Sequence, residues 1–141
     1  MIRKKLDFNT KDLESLTNSN LKKIADYELR QYLLRRESHN YIHCPLKNKS
    51  YPKEVIQVAH FIDRGIMATR YDLTNCHLVS KYSNERDAQV PKEGYKSLHH
   101  YDYEQYLGEQ IVKDLRERSK EIKIFYKEDY IGIINQFRNV N

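Results

Sequence analysis

The chain has 141 residues, with 25 lysines and arginines against 20 aspartates and glutamates, a net charge of +5 and a pI near 9.1. That length suits one domain with a modest core and is short for two. No apolar run approaches bilayer length and no apolar stretch follows Met1-Ile-Arg-Lys-Lys, so a membrane span and a signal peptide are excluded from the expectation, which is a soluble, cytoplasmic protein.

Two cysteines, Cys44 and Cys76, give no disulfide framework and fit a reducing compartment. The basic balance favours polyanionic partners through counterion release, as many basic proteins that never touch DNA also would. Twelve tyrosines and no tryptophan are an unusual aromatic set, able to stack on bases or to pack helices.

Thr10 is placed to cap a short helix over residues 11–16, which Asn18 to Asn20 would break. A longer helix is expected over 21–37, with Leu21, Ile24, Ala25, Leu29, Tyr32 and Leu33 on one face and Lys22, Lys23, Arg30 and Arg35 on the other. The Pro, Asn and Ser content between His39 and Tyr51 reads as loop. Short strands are expected over 55–62 and 78–79, with a helix starting near Ser83. Residues 89–97, with Pro91 and Gly94, read as a loop leading to His99 and His100, taken as surface histidines. Helices follow over 103–119, with Tyr106, Leu107, Ile111 and Leu115 inward, and over 127–137, with Tyr130, Ile133, Ile134 and Phe137 inward.

The chemistry-bearing stretch runs from Val58 to Asn84. It sets His60 at the end of an apolar strand, Asn75 in a loop downstream and Asn84 where a helix begins. An unperturbed imidazole titrates near pH 6.5, so histidine is the side chain best suited to take a proton from water at neutral pH. A histidine that merely caps a strand is the competing reading for His60 alone; its spacing to Asn75 and Asn84 favours the general base. Arg64 and Arg70 offer rigid guanidinium forks suited to phosphate, with a plain surface role equally open for Arg64.

The segment Cys44-Pro-Leu-Lys-Asn-Lys-Ser-Tyr-Pro-Lys-Glu-Val-Ile-Gln-Val-Ala-His60 resembles the approach to the base histidine in the phage NinG (Rap) recombination endonucleases of the HNH, or ββα-metal, superfamily. The block Arg64-Gly-Ile-Met-Ala-Thr-Arg70-Tyr-Asp-Leu-Thr-Asn75-Cys-His77 is similar to that family's Arg-Gly-x-x-Ala-Thr-Arg-Tyr-Asp-x-x-Asn-x-His. Tyr106-Leu-Gly-Glu-Gln-Ile-Val112 resembles the helix after the family's finger. The resemblance runs from about residue 21 to the C-terminus and implies an α+β fold, a ββα finger over about 44–89 between a helical N-terminal part over about 10–37 and C-terminal helices over about 101–139, all in one domain. It implies a metal-dependent DNA endonuclease acting on branched or recombining DNA in the host cytoplasm, with His60 as base and Asn75 orienting the loop or the ring.

Two departures from that pattern carry expectations of their own. The family's paired Cys-x-x-Cys knuckles supply the four ligands of a structural zinc, whereas Cys44 here faces Lys47, Ser80 and Ser83 at the matching positions, so no structural zinc is expected. The knuckles are then held by packing and hydrogen bonds. The residue before the base is Ala59, where many HNH enzymes carry Asp or His and the NinG-type motif usually has glycine; it supplies no side-chain oxygen, and by matching position the resemblance implies Asn84 as a ligand for a catalytic Mg2+ or Mn2+, with Asp87 one helical turn on either assisting or standing as a solvated charge. The alternative class is a catalytically inactive DNA-binding or protein-interaction module on a degenerate HNH scaffold.

Overall fold

The computed structural model describes residues 5–37, 39–83 and 98–139, and mixes helices with two small antiparallel sheets. In chain order these are α1 (Asn18–Arg35), β1 (Tyr41–Cys44), β2 (Lys49–Pro52), β3 (Ile56–His60), α2 (Met67–Arg70), β4 (Cys76–Ser80), α3 (Leu98–Leu107), α4 (Glu109–Ser119) and α5 (Lys127–Asn139). Single 3-10 turns cover Leu13–Ser15 and Lys53–Val55. Among the described residues no helix is long and apolar enough to cross a membrane.

Backbone contacts divide the chain into two compact units, one of residues 1–36 with 124–141 and the other of residues 37–123. The first is a pairing of α1 with α5. Thr17, rather than a residue nearer Leu21, starts α1, because its hydroxyl accepts the Asn20 N–H at 3.2 Å and satisfies one orphan donor of the first turn. Leu21, Ile24, Ala25, Leu29 and Leu33 are buried along one stripe of α1, and Tyr130, Ile134 and Phe137 are the buried residues of α5. The rings of Tyr32 and Phe137 lie 5.4 Å apart. The expected helix over 11–16 is reduced to the 3-10 turn, whose cap Asp12 makes no side-chain bond.

A charged residue, Glu28, is buried within this unit, and Arg138 meets it at 3.1 Å while donating also to the carbonyls of Thr10 and Phe8. Arg35 donates to the Phe137 carbonyl near the end of α5.

The second unit contains both sheets. β1 and β2 form a hairpin with Cys44 opposite Lys49, and β3 and β4 pair with Ala59 opposite His77 and His60 opposite Cys76. The hairpin replaces the loop expected between His39 and Tyr51. Its turn is closed by the Lys47 N–H on the Cys44 carbonyl at 3.3 Å and passes through Asn48 at φ 50°, a left-handed conformation that asparagine adopts more readily than most residues. The core gathers Cys44, Ala59, Phe61, Val79, Tyr103, Val112 and Leu115.

The single helix expected over 103–119 is two helices. Gly108 sits between them at φ 88°, its N–H closing α3 on Glu104 and its carbonyl receiving the Val112 N–H of α4. The break shifts the buried phase: Leu115 is inward as expected, Val112 joins it, and Tyr106 and Ile111 are 51% and 38% exposed.

Replacing Arg138 with leucine should strand the Glu28 carboxylate against apolar helix surface. Urea unfolding of Arg138→Leu is expected to read a loss of about 2–4 kcal/mol, below the full cost of orphaning a wholly buried charge because the arginine is itself partly exposed.

Candidate active site

The site is built on β3, β4 and the irregular segment of residues 61–75 between them. His60 ends β3, half-buried, and its Nε2 lies 2.9 Å from the carbonyl oxygen of Arg70. A carbonyl only accepts, so Nε2 carries the proton, and in the neutral ring Nδ1 is then the basic nitrogen. The same carbonyl accepts the Cys76 thiol at 3.3 Å. Since His60 and Cys76 are opposite one another in the β3–β4 ladder, one peptide oxygen anchors both members of a cross-strand pair.

Asn75 organises the segment. It is fully buried: its Oδ1 accepts the Ile62 N–H at 2.7 Å, its Nδ2 donates to the carbonyls of Ile62 at 3.1 Å and Thr69 at 3.0 Å, and its own carbonyl receives the Phe61 N–H at 3.0 Å. A buried amide that lies off the strand ladder needs such partners, and one carboxamide here supplies both a donor and an acceptor to the start of the segment and a donor to its middle. Asp63 and Asp72 close local turns by accepting the N–H groups of Gly65 and Thr74 at 2.7 and 3.0 Å. Outside the segment, Arg118 of α4 holds Asp72 at 2.9 Å and the Thr74 hydroxyl at 3.0 Å.

The two arginines expected at phosphates are placed differently. Arg64 is exposed, whereas Arg70 is 5% exposed and its Nη1 donates to the Arg64 carbonyl at 2.6 Å, which makes it a brace inside the segment. The expected metal ligands Asn84 and Asp87 lie outside the described residues. Among the described residues, no three histidine, cysteine, aspartate or glutamate side chains converge on a point that would hold an ion.

His77, on the face opposite His60, has a packing place. Tyr103 donates to the Ala59 carbonyl at 3.2 Å, so its oxygen is left to accept from His77 Nδ1 at 2.5 Å, and the ring also meets Tyr106 edge-on. His100, expected at the surface, is half-buried and stacks on Phe61 with ring centres 4.7 Å apart. Sequence reasoning missed that partner because stacking needs the turn of α3 back toward β3, which no local pattern encodes.

Close by, three of the four positions that match the paired knuckles meet. Cys44 Sγ lies 3.6 Å from the Ser83 hydroxyl, which in turn accepts from the Ser80 hydroxyl at 3.3 Å, and all three residues are buried. Lys47 points its side chain outward and joins through its backbone. Burial pushes the Cys44 thiol up, but hydrogen bonds from the Ser80 backbone, the Ser83 side chain and the backbone of Lys47 and Leu46 together pull it below its ordinary value.

Compared with known proteins, the chain matches no family model, no curated protein and no solved structure.

Asn75→Ala should release the segment at Ile62 and at Thr69. Three side-chain hydrogen bonds vanish and the Ile62 N–H loses its partner, so chemical denaturation should show about 2–4 kcal/mol less stability, with hydrogen exchange accelerated first at Ile62 and the neighbouring loop amides.

Proposed function

We propose that the chain is a metal-dependent DNA endonuclease of the ββα-metal type, hydrolysing phosphodiester bonds with His60 as general base. The observation that carries this reading is the His60 imidazole held at the end of β3 through Nε2 on the Arg70 carbonyl, which fixes its tautomer and its place beside the Asn75-stapled segment. Further support comes from the order of elements: β3, the segment stapled by Asn75, β4, and a helical turn at 81–83, which is the strand, loop, strand, helix order of that finger. The basic net charge and the exposed Arg64 suit a phosphate backbone.

In this mechanism His60 removes a proton from water as the oxygen attacks phosphorus, and the Arg70 carbonyl balances the charge that develops on the ring. Asn75 and Arg70 act by fixing the segment that aims the imidazole, and Arg64 contacts substrate phosphate. Mg2+ or Mn2+ held by Asn84 with Asp87, oxygen donors of the kind these hard cations take, would supply charge stabilisation at the leaving oxygen. Branched or recombining DNA is the substrate this reading favours, on the resemblance alone.

The second reading, an inactive DNA-binding or protein-interaction module on the same scaffold, is favoured by one observation: Ala59, beside the base, is buried in β3 and gives the site no oxygen. Incubating the protein with linear, junction and single-stranded DNA under Mg2+, Mn2+ or chelator separates the two. Metal-dependent cutting that falls at least about 100-fold in His60→Ala supports the enzyme; retained binding with no cutting by the parent protein supports the module.

This reading also holds the finger without a structural zinc, its knuckles joined by the Cys44, Ser80 and Ser83 cluster. The triple variant Lys47→Cys, Ser80→Cys, Ser83→Cys should then bind about one equivalent of Zn2+ and melt at a zinc-dependent temperature, since four thiolates complete a tetrahedral site. Stoichiometric zinc in the parent protein would overturn the expectation.

A further inference from the structure

The hairpin and the turn after β4 bring two tyrosines and two lysines to one place. Tyr51 and Tyr82 lie with ring centres 5.9 Å apart, tilted by 44°. The Lys49 ammonium sits 5.5 Å from the centre of the Tyr51 ring and the Lys81 ammonium 5.4 Å from that of Tyr82. Tyr82 is 48% exposed, far more than core packing requires, while Tyr51 is half-buried against the core and gives the pair a rigid footing. Basic residues dominate the two stretches that carry the rings, with Glu54 just beyond the first. From Asn40 to Lys53 the sequence holds Lys47, Lys49 and Lys53 and no acidic residue, and from Asn75 to Ser83 it holds Lys81 and none.

We propose that this patch is a stacking platform for unpaired bases of a single DNA strand, Tyr82 taking a base and Lys49 and Lys81 the flanking phosphates. It rests on the reading that the chain acts on DNA, and it names the part of the substrate that the finger grips. The chemistry is the reason for preferring a single strand. A duplex buries its base faces in its own stack, so an exposed aromatic ring gains little from it, whereas an unpaired base offers a π-face to any ring beside a cation. An acidic peptide would satisfy the lysines but leave the tyrosine surface uncovered. The ammonium groups now over the rings need only swing on flexible stems to reach phosphates, and the rings keep their footing.

The test is anisotropy of a fluorescein-labelled oligothymidylate of about 16 nucleotides, with a duplex of the same length and with polyglutamate as competitors, all in EDTA so that nothing is cut. The parent protein should bind the oligothymidylate in preference to the duplex, Tyr82→Ala should weaken that binding about 10-fold while leaving duplex affinity unchanged, and Lys49→Gln with Lys81→Gln should make the salt dependence shallower by about 1.4 in log–log slope. Because Tyr82 is exposed, its truncation leaves the core intact, which circular dichroism of the variant checks. Unchanged oligothymidylate affinity in Tyr82→Ala, equal loss for duplex and single strand, or competition by polyglutamate as effective as by oligothymidylate each overturns the platform. Cutting assays on the same preparations keep the two readings apart: a nuclease whose single-strand binding ignores Tyr82 loses only the platform, and tyrosine-dependent single-strand binding without cutting supports the platform and removes only the nuclease.

Discussion

One buried carboxamide carries the geometry of the second unit. The segment from Phe61 to Asn75 satisfies part of its backbone with one short helix and a series of local turns, and its fold back onto β3 depends on hydrogen bonds that cross it. Asn75 makes those crossings to Ile62 and Thr69, and it does so from a position with no contact with solvent. Water therefore cannot replace any of the bonds it makes, and in a low-dielectric interior each is worth keeping. The strand ladder on either side registers His60 against Cys76 only because the intervening chain is returned to the correct place.

The arrangement separates holding from reacting. Arg70, Asn75, Asp72 and Arg118 are all engaged with the segment itself or with its supports, and the imidazole is presented from the end of a strand anchored by buried Ile56 and Ala59. A side chain carried at the end of a hydrogen-bonded strand keeps little rotational freedom. On the opposite face, Tyr103 and His77 fasten β3 from behind, so the strand is pinned on both sides.

Elements with strong periodicity were legible in the sequence, and those set by single residues were not. α1 and α5 appear close to where their apolar stripes put them, with Thr17 moving the start of α1 outward because a side-chain cap outweighs a weak break at Asn18 to Asn20. The β1–β2 hairpin escaped because its strands are four residues each, carry lysine, serine and proline, and bury only every second residue of β1. Gly108 was readable as a letter but not as a break, since a glycine within an apolar pattern is tolerated in a helix unless the backbone takes positive φ. Of the site, His60 and Asn75 were legible as residue types in a motif, and the convergence of Cys44, Ser80 and Ser83 was legible from matched spacing. The inward turn of Arg70 was not, because a guanidinium suited to phosphate is equally suited to a carbonyl, and only the fold decides which it meets.

Arg70 also ties the middle of the segment to its start. Its guanidinium grips the carbonyl of Arg64, and its own carbonyl grips the imidazole of His60. An outward-facing cationic residue and the proposed proton acceptor are thus two hydrogen bonds apart through a single intermediary, with the Cys76 thiol sharing the second grip. The backbone at the exposed rim and the ring of His60 therefore take their positions from one residue, so a shift of Arg70 cannot leave either in place.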